Sequence, residues 1–209
     1  MKLIDISMTI APDMMVYKNR EEKKPVFIPM KTYENADFYE SRLDFDLHTG
    51  THVDAPLHMV NGGDTMEKIS LDTWHGDAIV ADLSHVEGGI GKGDLESIAI
   101  KPGQILLLKT RNSFEETFNP EFIYLAEDGA AYLAEKQIKG VGIDALGIER
   151  AQPSHATHTI LFNADIFILE GLRLAHVAEG QYYLMALPLQ IKGVEASPVR
   201  AVLLDPTEK

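Results

Sequence analysis

The sequence predicts an α/β fold, built as a single domain around a mixed sheet. Two observations carry this. Gln104-Ile-Leu-Leu-Leu-Lys-Thr110 is a continuous apolar run of strand length, suited to a central strand covered on both faces. It is followed by the best helix of the chain, Leu125 to Lys136, with Ala130, Ala131, Leu133 and Ala134 on one face, and then by the strand Val141-Gly-Ile-Asp144. Strand, helix and strand in that order make a crossover unit inside a mixed sheet. At 209 residues with 45% hydrophobic and 24% charged content, the chain suits one substantial domain spanning residues 1–209.

The other elements follow in order. Leu3 to Met8 alternates as a first strand and Ala11-Pro-Asp13 ends it. Met14, Met15, Val16 and Tyr17 read first as core plugs and alternatively as the lining of a pocket mouth for a small apolar substrate, ahead of an exposed, charged loop from Tyr17 to Lys24. Val26 to Met30 is a short strand, and another begins near Phe38. Asp64-Thr65 caps a short segment, and Ala78 to Leu83 is a buried strand approached by Trp74 and His75; His75 and His85 read as surface or hydrogen-bonded histidines. Gly88 to Gly93 lacks a Walker or dinucleotide pattern and reads as a turn before a short helix capped by Asp94. Gly140 stops the long helix. Ser154 to Phe162 reads as a helix, Ile166 to Glu170 as a strand, and Tyr182–Leu187 and Val199–Leu204 as closing strands around a loop containing Glu195-Ala-Ser-Pro198.

Composition excludes several functions. The net charge of -13, from 32 acidic against 19 basic residues, repels nucleic acid and anionic membrane surfaces. With no cysteine, any metal must be held by histidine and carboxylate. The start Met1-Lys-Leu-Ile-Asp5 places an acid where a signal peptide needs its apolar run, and no stretch approaches membrane-spanning length, so the expected location is cytoplasmic.

The chemistry is concentrated between Arg42 and His58. Odd positions Leu43, Phe45, Leu47, Val53, Ala55 and Leu57 are apolar, and even positions hold Asp44, Asp46, His48, His52, Asp54 and His58. An extended backbone then packs one face into the core and presents imidazoles and carboxylates on the other. His48 and His52 are also spaced to share a helix face. Thr49, Gly50, Thr51 and Val53 are poor helix formers and Pro56 interrupts a helix, which favours a strand breaking at Gly50 with His58 beyond Pro56. Two nitrogen donors and one anionic oxygen suit zinc, and with more oxygen manganese or iron. Glu170, at the end of an apolar strand, needs a cation or hydrogen bonds to be buried there, and His158 precedes it by a helix, a turn and a strand, so both can lie at one end of the sheet.

His48-Thr-Gly-Thr-His52-Val-Asp54-Ala-Pro-Leu-His58 resembles the signature of the cyclase-like metal-dependent hydrolases, the family containing bacterial kynurenine formamidase (arylformamidase) and isatin hydrolase. Leu3–Ser7, Val141–Asp144, His158 with Leu161, Ile168–Leu172, Ala186–Leu189 and Ala196–Arg200 resemble further segments, so the likeness covers nearly the whole chain. It implies a swivelling β/β/α fold, a homodimer or homotetramer, and two divalent ions, zinc foremost with manganese as the alternative. His48, His52 and Asp54 would hold one ion, Asp54, His158 and Glu170 the other, and His58 would be catalytic. Two segments depart from the family pattern: Val16-Tyr-Lys-Asn19 replaces a Pro-Gly pair, and Asp144-Ala-Leu-Gly147 lacks the serine that formamidases tend to show after the aspartate.

The expected function is hydrolysis of a small amide, N-formylkynurenine of tryptophan catabolism first, at a non-peptide C–N bond. A bound divalent ion lowers the pKa of its water from about 15.7 to about 7. The sequence reading is attack by the metal hydroxide, with His58 as proton shuttle because imidazole titrates near neutrality. A cyclic amide such as isatin is the alternative substrate. The different-class alternative, a non-catalytic metal-binding module, requires a closed coordination shell without exchangeable water.

Overall fold

The computed structural model describes residues 2–205; Met1 and residues 206–209, which the single-domain expectation included, lie outside the described residues. In chain order the elements are β1 (Lys2–Asp5), β2 (Val26–Lys31), β3 (Glu40–Asp44), β4 (His52–Asp54), β5 (His75–Asp82), β6 (Gly89–Ile90), α1 (Lys92–Leu95), β7 (Ile105–Lys109), β8 (Tyr124–Leu125), α2 (Glu127–Glu135), β9 (Gly140–Ile143), α3 (Ala156–Asn163), β10 (Phe167–Glu170), β11 (Gly180–Met185), β12 (Ala196–Pro198) and β13 (Val202–Asp205). Among the described residues, nine strands form one mixed sheet in the order β1-β13-β11-β5-β7-β9-β10-β4-β12. The neighbours from β5 through β10 run parallel and the other pairs antiparallel.

The crossover predicted from Gln104 to Asp144 is present: β7 leads through α2 into the parallel neighbour β9. Every residue of β7 is buried. Leu106 and Leu108 face the core shared with Leu133 of α2 and Leu161 of α3, while Ile105 and Leu107 face a second core with Trp74, Leu184 and Leu203. That two-sided burial is why the run reads as continuously apolar rather than alternating.

Several expectations are corrected. The strand expected to run from Phe38 into the histidine motif is divided. β3 pairs only with β2, in a separate hairpin exposed along its length, and Leu43 is 41% exposed rather than core. The chain then turns at Asp46, whose carboxylate accepts the His48 N–H (3.0 Å) and whose carbonyl accepts the Thr49 N–H (3.0 Å). Gly50 completes the turn at φ 74°, a left-handed conformation that glycine adopts without strain. Of the odd-numbered apolar residues, Val53 and Ala55 alone belong to the core.

The helix α2 stops at Gln137, which takes φ 55°, and Gly140 instead opens β9. Gly91 precedes α1, so Asp94 sits in its first turn and accepts the Gly91 N–H rather than capping from outside. Thr65 precedes the turn Met66–Lys68 without a side-chain cap bond. Residues 17–24 form two short 3₁₀ turns, and Met14 and Val16 are the core plugs. The expected loop at Ala196–Pro198 is β12, paired with β4. Its partner is distant in sequence, and Ser-Pro carries no local strand signal.

Candidate metal centre

β4 and β10 are antiparallel neighbours in which His52 stands directly opposite Glu170 and Asp54 opposite Ile168. Since alternate residues share a face, His52, Asp54 and Glu170 project to the same side. The helix α3 covers that side and brings in His158, which is 4% exposed. His48 enters from the Asp46 turn, and His58 from the 3₁₀ turn Pro56–His58, where Pro56 occupies the first position and needs no N–H partner. All six sequence-predicted residues are thus brought together. His158 and Glu170 are both buried.

The distances divide around Asp54. Its Oδ1 lies 3.1 Å from His48 Nδ1 and 3.5 Å from His52 Nε2, which are themselves 3.2 Å apart. Its Oδ2 lies 3.8 Å from His158 Nε2. Glu170 spans both sides, with Oε2 3.4 Å from His52 Nε2 and Oε1 3.6 Å from His158 Nε2. The His52 Nδ1 sits 3.0 Å from the Gly50 carbonyl, so it donates there and leaves the Nε2 lone pair facing inward. The His58 ring is centred 4.2 Å from His48 and 5.5 Å from His158.

This set fits divalent ions. Both Asp54 oxygens and both His158 ring nitrogens are buried without a hydrogen-bond partner, a costly state that a cation between Asp54 and Nε2 would relieve. Proton affinities point the same way. Burial alone would push His52 down, but Glu170 and Asp54 outweigh it and raise the imidazole to about 9. Burial is likewise outweighed at His158, which Asp54, Glu149 and Glu170 raise to about 11. Burial and Asp54 push Glu170 up, yet His158 and His52 hold it at about 2. Positive charge is drawn into the cluster, by proton or by metal. Burial pushes His58 in the opposite direction, below the ordinary imidazole value.

The metal-free protein should therefore lose stability on the alkaline side. His52 and His158 bind protons more tightly folded than unfolded, so their contribution is complete below about pH 6.5 and is lost as pH rises through about 9 and about 11. Glu170 runs the other way, contributing above about pH 4.5 and losing that contribution as pH falls through about 2. Asp54, pushed up by burial but held well below the usual carboxylate range by His158 and His48, acts in the same sense. Calorimetry of chelator-treated protein should show Tm falling by about 4–8 °C between pH 6 and pH 9, on the order of 2 kcal/mol, with metal-loaded protein changing less. Equal Tm values at both pH values in the chelated sample would contradict this charge balance.

The Cyclase family profile matches residues 4–150 of the chain. The chain belongs to the Cyclase family. Kynurenine formamidase of Bacillus cereus is 38% identical over 172 residues, covering 81% of this chain and 82% of that one. A solved structure described as a predicted metal-dependent hydrolase from Bacillus stearothermophilus is 51% identical, with a TM-score of 0.88 and 97% of each chain covered. Isatin hydrolase A from Labrenzia aggregata shares the fold, with a TM-score of 0.81 over 97% of this chain and 93% of that one at 21% identity. The cyclase-like metal-dependent hydrolase family expected from the histidine signature is therefore the family of this chain, and its mixed α/β fold is the one described above.

Sequence reasoning missed Glu149 and Glu195 of this cyclase-family site, and favoured Tyr17 as a core plug over pocket lining. Glu149 is buried, with Oε1 3.3 Å from His158 Nδ1. Its signal was available, because it is an acid ending the apolar stretch Ala145–Ile148, the argument applied to Glu170. Glu195, whose Oε1 lies 3.4 Å from His48 Nε2, is carried beside the site by β12 and has no local signal. The half-buried Tyr17 has its hydroxyl pKa raised by burial and by the charges of Glu170 and Glu149. Asp144, at the exit of β9, is a structural clamp: it accepts bonds from the Thr110 N–H and hydroxyl, Asn112 Nδ2, and the Ser113 N–H and hydroxyl, tying the β7 exit to β9.

The placement of His52 against Glu170 depends on Gly171. It has φ 70°, and a Cβ there would collide with the Gly50 carbonyl. The Thr51 hydroxyl donates to the Gly171 carbonyl (2.6 Å) and locks the two segments together. Gly171→Ala is expected to cost about 3 kcal/mol from left-handed strain and overpacking, a Tm loss of about 6–12 °C. A variant melting with the parent would show that the two backbones separate freely.

Proposed function

We propose that this chain hydrolyses a small amide, N-formylkynurenine first, at a centre of two divalent ions. His48, His52 and Asp54 would hold one ion and Asp54, His158 and Glu170 the other, with zinc the expected metal and manganese the alternative. The observation that carries the reading is the buried Asp54 carboxylate, whose two unpartnered oxygens face separate sets of imidazole nitrogens. The kynurenine formamidase relative supports the substrate class.

When bound, the ions supply a Lewis acid for the carbonyl and a water that ionises near neutral pH. The chain supplies the rest. His52, Asp54, His158 and Glu170 form a buried floor, while His48 and His58 are only partly buried and leave the cluster open to solvent on their side. That opening favours an enzyme over a closed structural site. His58, neutral at pH 7 because burial lowers its pKa, accepts the proton of the attacking water and delivers it to the departing nitrogen.

The substrate is a small molecule. Among the described residues no helix is long and apolar enough to cross a membrane; the acidic charge supports an enzyme without nucleic-acid or membrane partners, and a cytoplasmic location is part of the proposal. A homodimer or homotetramer is supported by the exposed apolar side chains of the β2–β3 hairpin, Val26, Phe27, Met30 and Leu43. The test is a hydrolysis screen of zinc- and manganese-loaded protein with N-formylkynurenine, isatin and simple formamides, each with and without chelator. Chelator-sensitive release of formate from N-formylkynurenine is expected. Turnover of isatin alone would move the substrate to a cyclic amide, and turnover of none would remove the substrate assignment.

A further inference from the structure

Glu149 is a buried carboxylate that the hydrolytic chemistry does not use. Its side chain is 4% exposed, and it follows Ile148 in the segment between β9 and α3. The helix α3 begins at His155, held at φ 48° with no side-chain cap bond of its own. Glu149 Oε2 fills that role from a distance, accepting the Thr157 N–H (3.1 Å) and the His158 N–H (3.4 Å), first-turn amides that have no partner within the helix. Its Oε1 lies 2.5 Å from His155 Nδ1 and 3.3 Å from His158 Nδ1. One carboxylate therefore holds the backbone that carries His158 and lies beside one nitrogen of its ring, a buried nitrogen with no hydrogen-bond partner of its own.

We propose that Glu149 is a positioning residue for His158: it keeps the proton on Nδ1 and so presents Nε2 to the metal centre. Both ring nitrogens face carboxylates, which only accept hydrogen bonds, so once Nε2 is given to a metal the hydrogen must sit on Nδ1 beside Glu149. The opposite nitrogen, 3.8 Å from Asp54 Oδ2 and 3.6 Å from Glu170 Oε1, is then the lone-pair donor. Outer carboxylates on metal-bound imidazoles fix the tautomer and raise ligand basicity, and losing one costs about 10–100-fold in metal affinity. His155, 59% exposed at its side chain, draws on the same oxygen and competes for it. The proposal rests on the reading of His158 as a ligand.

The test has arms that separate the two readings. Titration against a chelator should show that Glu149→Gln binds the second zinc equivalent about 10–100-fold more weakly than the parent and leaves the first unchanged. The cobalt-substituted visible spectrum should change at one of two ions. A glutamine offers one acceptor where the site uses two, so its amide N–H₂ must face a donor. In the zinc-loaded parent, long-range proton–nitrogen spectra of the His158 ring should show hydrogen on Nδ1 and metal on Nε2, a readout that needs no variant and stands even where Glu149→Gln does not fold. Coordination through Nδ1, or unchanged zinc affinity in a folded Glu149→Gln, overturns the proposal. So does a further zinc equivalent lost in His155→Ala, because Glu149 would then be a ligand with His155 and His158. Unchanged zinc binding in His158→Ala would instead overturn the ligand assignment itself.

Discussion

Replacing His58 by alanine is expected to lower kcat by about 10²–10⁴-fold while the protein keeps both ions. The size of the effect is that of a positioned general acid–base, and retention of metal separates this role from that of a ligand. The separation is needed because His58 offers a nitrogen close to atoms of His48 and Asp54, a grouping able to hold an ion by itself. Two features favour the proton carrier. The ring lies 4.2 Å from that of His48, tilted against it by 39°, on the partly open side of the cluster, and burial lowers its pKa, whereas Asp54 and Glu170 beside it act in the opposite sense. A base with a lowered pKa works above that value and fails as pH falls through it, so the parent should show an acid limb in kcat/KM centred below about pH 6.5. The variant should lose that limb and recover partial activity with added imidazole. Loss of one ion per chain in His58→Ala would make His58 a ligand, and unchanged kcat would leave it without a catalytic role.

The positions of the ligand candidates were legible because their chemistry is at odds with their surroundings. Glu170 closes an apolar strand, and His52 and Asp54 alternate with core residues Val53 and Ala55. Such residues need an explanation that packing does not supply. The central strand Ile105–Lys109 and its crossover were legible for the complementary reason, since both faces are buried and its apolar run has no competing reading. The hairpin was not. Leu43 alternates with polar neighbours as Val53 does, and alternation does not distinguish a strand packed on the core from one turned out to solvent. β12 was illegible because its pairing to β4 joins residues far apart in sequence, and with it went the placement of Glu195 beside His48. Glu149 was missed although the reasoning that found Glu170 applied to it, because its partners, the first turn of α3 and His158, are defined only once the helix packs.

Asp54 should be the least replaceable residue of the centre, and comparing it with His158 tests how the ions are divided. His158 faces one oxygen of Asp54, and His48 and His52 face the other. Removing His158 should therefore remove one ion and leave the site formed by His48, His52 and Asp54. Asp54→Asn keeps the shape but removes the charge and replaces one acceptor with a donor, so it should weaken both ions and lower activity by more than about 10³-fold, beyond the 10–100-fold typical of outer-shell partners. Its effect on the metal-free fold has a separate origin. Asp54 helps hold His52 and His158 in their charged forms, and breaking a buried charge arrangement by removing one partner costs about 3–5 kcal/mol. Metal analysis, with denaturant titration of the chelated variants, measures the two effects independently. If Asp54→Asn and His158→Ala each lose a single ion, Asp54 does not bridge, and the two ions are held by separate ligand sets.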